Sequence, residues 1–359
     1  MESKEIVRIE EKRFREQERL DARKSAAERN KWGQFATPPA LSRSIARYAL
    51  ELMESRPLRF LEPALGTGSF FSALEAESTA ERIESAVGIE LDPLFAKSAA
   101  SLWAASGLQV VTGDFTKQPL PDLRFNLIIT NPPYVRHHHL TADEKARLKA
   151  RLAQSLRLDI SGLAGLYCYF LLIAHDWLED DGLSVWLIPS EFMDVNYGTT
   201  VRRYLTESVT LLHTHRFLPS DVQFTDALVS SAIVVFRKAL PPAGHHVRFS
   251  LGGSIEAPQH EALIPLIPLT TLVRSGKWTR FPKYAAHERH GETTLGDLFA
   301  IKRGLATGAN SFFILTEAEA SNWEIPREFL KPILPGPRHL EADIIDSASG
   351  GAPEVSPRL

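Results

Sequence analysis

From residue 58 to residue 236, short apolar runs alternate with helical stretches, and this alternation restricts the fold more than any other feature of the chain. Residues 59–61, 86–89, 109–111, 125–129 and 183–188 read as buried strands, with helical segments such as 69–77 and 93–105 between them. Strands separated by helices run parallel and carry helices on both faces of the sheet. Two later strands, 210–213 and 232–236, flank the polar loop 219–226 and complete a seven-stranded sheet. The expected fold class is therefore α/β, doubly wound and mostly parallel. Sheets of this kind take ligands at the carboxyl ends of their strands, near the switch in strand order.

A length of 359 residues exceeds one ordinary core and predicts more than one domain. Residues 1–30 are dense in charges of both signs, with few apolar positions (Ile6, Val7, Ile9, Phe14, Leu20), and read as a solvated helix. Near Ala239 the texture changes. Pro241-Pro242-Ala243-Gly244 reads as a linker, which places the main domain at 31–239 and a smaller one at 240–359.

Apolar residues make up 44% of the chain and charged ones 24%, the balance of a soluble globular protein. No stretch is apolar for long enough to cross a bilayer, and Met1 to Glu5 lacks the apolar core of a signal peptide, so a cytoplasmic location is expected. A lone Cys168 excludes an intrachain disulfide and a cysteine-built zinc site. The net charge of −3 argues against a generic polyanion binder, so any nucleic-acid surface must be a local basic patch.

Three acids follow three successive strands. Leu61-Glu62-Pro63-Ala64-Leu65-Gly66-Thr67-Gly68 leaves a strand and opens a helix, and Gly66 and Gly68 allow a tight turn and close approach of backbone to ligand. Glu90, at the end of Val87-Gly88-Ile89-Glu90, stands where a carboxylate holds ribose hydroxyls. Asp114, in Thr112-Gly113-Asp114-Phe115, suits an exocyclic amino group such as that of adenine. Each acid alone reads as a surface carboxylate; three in register with three strands read as a site. No lysine follows the glycines, and Glu62 would repel a phosphate. A negatively charged loop suits a cationic cofactor without phosphates, which points to S-adenosylmethionine, with Glu62 near its amino group. Ala64 and Phe115 complete the expected cofactor set beside these acids.

The sharpest motif is Asn131-Pro132-Pro133-Tyr134, at the end of an apolar strand. Two prolines stiffen the loop, so its carbonyls hold fixed directions. An aromatic amine is a poor nucleophile because its lone pair is delocalised into the ring. Two acceptors, the Asn131 side-chain oxygen and the Pro132 carbonyl, would bind its two hydrogens and favour the tetrahedral geometry that develops during methyl transfer. Tyr134 offers a stacking face. A rigid strand-end turn with a packed tyrosine is the structural alternative.

This set of motifs resembles the gamma class of DNA amino-methyltransferases, the adenine-N6 enzymes of restriction–modification systems. The class carries a Phe-x-Thr-Pro-Pro element ahead of the glycine loop, and Gly33-Gln34-Phe35-Ala36-Thr37-Pro38-Pro39 occupies that place here. The resemblance implies a Rossmann-like methyltransferase sheet, S-adenosylmethionine as cofactor with Thr37 in contact, and double-stranded DNA as partner; it also allows a cognate restriction endonuclease. It implies that Phe224, in Phe224-Thr225-Asp226-Ala227, stacks on a flipped base opposite Tyr134, with Phe217 as the alternative. The resemblance covers about residues 33–238. Beyond them, 295–299 and 304–310 look like part of a target-recognition domain.

His137-His138-His139 lacks an acid at ligand spacing, so no metal site is expected; the segment from there to about Ala164 reads as a mobile insert over the DNA or the cofactor. Cys168 is no nucleophile candidate, and His213 and His215 read as strand histidines rather than bases. Rival readings are a protein-glutamine or RNA amino-methyltransferase, which uses the same acceptor geometry, and a non-catalytic subunit that positions DNA. Cytosine-N4 enzymes usually carry Ser at the position of Asn131, which favours adenine.

Overall fold

The computed structural model describes residues 3–218, 221, 223, 230–259, 266–281, 298–300, 309–331 and 333. The chain divides into two compact units, Met1–Glu288 and Arg289–Leu359.

The first unit is built on a nine-stranded sheet of order β3-β2-β1-β4-β5-β7-β6-β8-β9. Its strands are β1 (Leu58–Glu62), β2 (Ile83–Glu90), β3 (Leu108–Thr112), β4 (Phe125–Thr130), β5 (Leu178–Pro189), β6 (Thr210–Arg216), β7 (Ser231–Arg237), β8 (His246–Leu251) and β9 (Leu266–Pro268). The first five strands pair in parallel, and β7 lies antiparallel between β5 and β6. All seven expected strands are present. The sheet does not end at Ala239, however. The Pro241 to Gly244 segment is a turn within the first unit, after which β8 pairs in parallel with β6 and β9 closes the edge. The prolines break the ladder locally, and the apolar run resumes at Val247 and Phe249, both buried.

Side-chain alternation separates the two faces of the sheet. Leu127 and Ile129 of β4, Leu183, Val185 and Leu187 of β5, and Ile233 and Val235 of β7 face one core. Ile128, Trp186, Ile188, Ala232 and Val234 face the other. Helices α3 (Pro39–Leu52), α4 (Ser69–Glu77) and α5 (Pro93–Trp103) cover the first face; α6 (Ala142–Ser155), α7 (Leu166–Ile173) and α8 (Thr199–Glu207) cover the second. Burying each large aliphatic side chain of β4 contributes roughly 1.5–3 kcal/mol. The switch in strand order falls between β1 and β4, so the carboxyl ends of β1, β2, β3 and β4 open on one crevice.

The charged N-terminal segment departs from expectation. Helices α1 (Ser3–Asp21) and α2 (Ala26–Trp32) precede α3, and α1 packs on α4 and α5 instead of standing in solvent. Arg13, Gln17 and Leu20 on its inner face are buried, while Phe14 is exposed. Buried polar side chains, Arg13 and Gln17, thus share the docking face of this helix with Ile9 and Leu20.

In the second unit the described elements are short helices, Asn310–Phe313 and Glu317–Asn322, followed by a 3-10 turn at Arg327–Phe329. Leu298 and Phe299 are exposed; the rest of the expected target-recognition motifs lie almost wholly outside the described residues. No helix among the described residues is long and apolar enough to cross a membrane.

Candidate active site

The glycine loop is pinned from behind. Gly66 and Gly68 have φ values of 58° and 88°, the left-handed region that favours glycine. A Cβ on Gly68 would stand 2.6 Å from Trp103 Nε1, and that indole donates to the Thr67 carbonyl at 2.9 Å. The loop therefore turns tightly over a buried tryptophan and starts α4 at Ser69.

Each expected acid sits at its strand end. Glu62 is 2% exposed, and one of its carboxylate oxygens accepts from the Phe71 N–H at 3.3 Å. Burial pushes its pKa well above the usual carboxylate range; the Phe71 and Phe70 N–H groups and the Arg13 charge pull it back, while the Glu90 charge raises it. Glu90 ties two strand ends together, accepting from Gly66 N on one oxygen and from Asp92 N on the other, both at 2.8 Å. Burial raises its pKa too, against those two backbone donors. Asp114 accepts from Thr116 N and Thr116 Oγ1 on Oδ1, leaving Oδ2 near Arg147 at 3.8 Å and Lys117 at 3.7 Å.

Asn131 is held by the segment ahead of α3. Its Nδ2 donates to the Phe35 carbonyl at 2.9 Å and to Thr37 Oγ1 at 3.2 Å. Two acceptors on one side fix the orientation of the amide. Its Oδ1 is buried and has no hydrogen-bond partner among the described residues. A buried acceptor left unpaired costs about 1–3 kcal/mol, a cost that a ligand donor would remove. The next residues lock the loop: Tyr134 N donates to the Gly33 carbonyl at 3.1 Å, and Tyr134 Oη donates to the Leu187 carbonyl at 3.1 Å.

Thr37, Glu62, Ala64, Gly66, Glu90, Asp114, Phe115 and Asn131 line one cavity of about 520 Å³. That size suits a nucleoside-sized ligand. Gly68, Pro132 and Tyr134 are buried residues outside this lining. Tyr134 is only 7% exposed, its ring packed near Phe35 and Tyr167, so the open stacking face expected of it is largely covered. Phe115 packs its ring against Phe170 and Trp177. Phe224 lies outside the described residues. Phe217 is a core residue, 3% exposed and edge-on to His215.

His213 and His215 are buried in β6 and share Ser250 Oγ as a partner, as strand histidines do. Cys168 is buried, and burial pushes its thiol up to about 12, away from nucleophilic use. No group of three metal-ligating side chains occurs among the described residues. The insert after Tyr134 supplies cavity wall that sequence reasoning did not assign: His139, Leu140, Glu144, Arg147 and Leu148. Gln17, Asp21 and Lys24, near the N-terminus, were missed in the same way. The signal for them was the i, i+4 spacing of Arg13 and Gln17, polar where a docking face is usually apolar.

Residues 84–223 match the family model of the Eco57I restriction-modification methylase. The type II methyltransferase M.XamI of Xanthomonas campestris pv. amaranthicola is 29% identical over 296 residues, covering 79% of this chain and 54% of the relative. M.AccI of Acinetobacter calcoaceticus is 25% identical over 323 residues, covering 86% of this chain and 58% of the relative. The chain thus spans a little over half the length of these curated relatives. Among solved structures, a Listeria monocytogenes protein described as a class I S-adenosylmethionine-dependent methyltransferase superimposes with a TM-score of 0.52 at 16% identity, covering 68% of this chain and 72% of its own. A type I restriction-modification methyltransferase subunit from Streptococcus thermophilus gives a TM-score of 0.51 at 17% identity, covering 62% of this chain and 48% of that one. The fold is that of the class I methyltransferases.

Proposed function

We propose that the cavity binds S-adenosylmethionine and that the chain methylates the N6 amino group of adenine in double-stranded DNA. The observation that carries this reading is the buried Asn131 Oδ1, fixed in direction and without a partner among the described residues. The relatives named above, type II methyltransferases, support DNA as the substrate.

The residues present fit the cofactor. Glu62 is a buried carboxylate on the cavity wall, suited to an ammonium group; Glu90 keeps lone pairs for ribose hydroxyls; Asp114 Oδ2 faces an exocyclic amine. Ala64, Gly66 and Phe115 shape the wall, and Thr37 stands beside the catalytic amide. When bound, the cofactor supplies an electrophilic methyl group on a sulfonium. Asn131 Oδ1 and the Pro132 carbonyl accept the two amino hydrogens of the target, drawing its lone pair out of conjugation. The proton released from the methylated nitrogen passes to water. Phe224 holds the extruded base, which must leave the duplex for its amino group to be reached. A cognate restriction endonuclease is the matching partner.

The experiment is methylation of plasmid DNA by this chain, read by sequencing that detects modified bases. N6-methyladenine at a fixed sequence is the expected result; modified cytosine would move the assignment to the N4 reaction, and unmodified DNA with a methylated protein or RNA would overturn it.

A further inference from the structure

The function proposed above uses nothing from α1, yet that helix carries an unusual buried polar chain. Arg13, 1% exposed, donates from Nη1 to Thr67 Oγ1 at 3.0 Å and to Ser69 Oγ at 2.9 Å. Its other edge makes a two-pronged pair with Glu10, at 2.7 and 2.6 Å, and Glu10 also accepts from Ser72 Oγ. Gln17 Oε1 accepts the Thr67 hydroxyl at 2.8 Å, while Gln17 Nε2 donates to Asp21 at 3.0 Å. The Thr67 hydroxyl therefore accepts from Arg13 and donates to Gln17, which leaves it one orientation. Further on, Lys24 Nζ bridges Asp92 at 2.6 Å and Gln34 at 2.9 Å, joining the end of β2 to the segment that holds Asn131.

We propose that α1 is part of the cofactor-binding apparatus, with Arg13 and Gln17 as positioning residues that hold Thr67 and Ser69 on either side of Gly68 in their ligand-binding geometry. Ile9 and Leu20 supply the apolar docking that a covering helix needs, and the buried polar network of Arg13 and Gln17 comes in addition to it. Here a desolvated guanidinium is held by the Glu10 carboxylate and by two hydroxyls, those of Thr67 and Ser69, on either side of Gly68. The same charge acts on Glu62. That carboxyl faces Arg13 from α1, Glu90 from β2, and the N–H groups of Phe70 and Phe71 from α4. Arg13 thus favours the ionised form that a cationic ligand requires. The inference rests on reading the cavity as an S-adenosylmethionine site.

The test measures S-adenosylmethionine binding by calorimetry on the full chain, for wild type, Gln17→Leu, Gln17→Glu, Thr67→Val and the Gln17→Leu/Thr67→Val double variant. Gln17→Leu should weaken binding by about five- to thirty-fold, and Gln17→Glu, which keeps the acceptor, should recover most of it. Losses from Gln17→Leu and Thr67→Val should overlap in the double variant, because both remove the Thr67–Gln17 bond, Thr67→Val removing the Arg13 bond as well. Arg13→Met should shift the pH at which affinity is half lost upward; if that variant does not fold, the Gln17 and Thr67 set still decides. Wild-type affinity in Gln17→Leu, or fully additive losses, would overturn the positioning role. Failure of the wild-type chain itself to bind would refute the cavity reading and this inference together.

Discussion

Gly33 lies so close to Tyr134 that a Cβ on it would stand 2.2 Å from the Tyr134 nitrogen. Its φ of 61° ends α2 in the left-handed region, and its carbonyl accepts the Tyr134 N–H. The segment ahead of α3 and the Asn-Pro-Pro-Tyr loop are thereby one structural unit, although about a hundred residues separate them in the chain.

Gly33→Ala should therefore damage both elements at once. Left-handed strain alone costs at least about 1 kcal/mol, and the backbone clash adds to it. Thermal unfolding should show a lowered midpoint, and methylation should fall by more than the stability loss accounts for. A variant with unchanged midpoint and activity would mean the two segments are not braced against each other.

Glu90→Ala should weaken S-adenosylmethionine binding by roughly 1.5–3 kcal/mol, the range for hydrogen bonds to a charged group. Asp92→Ala should cost less, because its carboxylate is occupied by Lys24 and by capping Leu94 N at the start of α5. Calorimetry on the two variants decides the order; a larger loss for Asp92→Ala would transfer the ribose role to it.

The raised pKa of Glu62 gives a pH dependence of definite sign. Folded chain binds this proton more tightly than unfolded chain, so the contribution to stability is full below the ordinary carboxylate value and is lost as pH rises through the raised one. A bound cation selects the ionised form, so cofactor affinity should increase with pH over that window. Measurements between about pH 5 and 7 stay below the range where the ligand's own amino group titrates. Glu62→Gln should flatten the profile; an unaltered slope in that variant would assign the dependence to another group.

Phe224→Ala tests base extrusion. Stacking on an aromatic platform contributes about 1–3 kcal/mol per base. The loss of activity should be greatest on a paired target adenine and smaller opposite a mismatch, where extrusion costs less. Equal losses on both duplexes would give Phe224 a packing role instead.

Much of the sheet was legible because its strands are continuous apolar runs ended by chemistry-bearing residues: Glu62, Glu90, Asp114 and Asn131 all follow such runs, and all four line the cavity. What was not legible has physical causes. Apolar periodicity finds helices that dock through hydrocarbon alone, and α1 buries Arg13 and Gln17 beside Ile9 and Leu20 while Phe14 points outward. Pro241-Pro242-Ala243-Gly244 carries the composition of a linker, but only long-range pairing decides whether the chain returns to the sheet, as it does in β8. Burial of Tyr134 depends on Phe35 and Tyr167, neighbours in space that its local motif does not announce.

The central claim concerns the side-chain oxygen of Asn131, and single-turnover methylation with saturating S-adenosylmethionine tests it most directly. Wild type and Asn131→Ala are compared on the same plasmid DNA, with cofactor affinity measured in parallel. With Asn131 in the proposed role toward the target amine, the variant should hold S-adenosylmethionine within about tenfold of wild type while the rate of N6-methyladenine formation falls by two or more orders of magnitude. A variant that methylates at near wild-type rate, or one whose loss is wholly a loss of cofactor binding, would contradict the account.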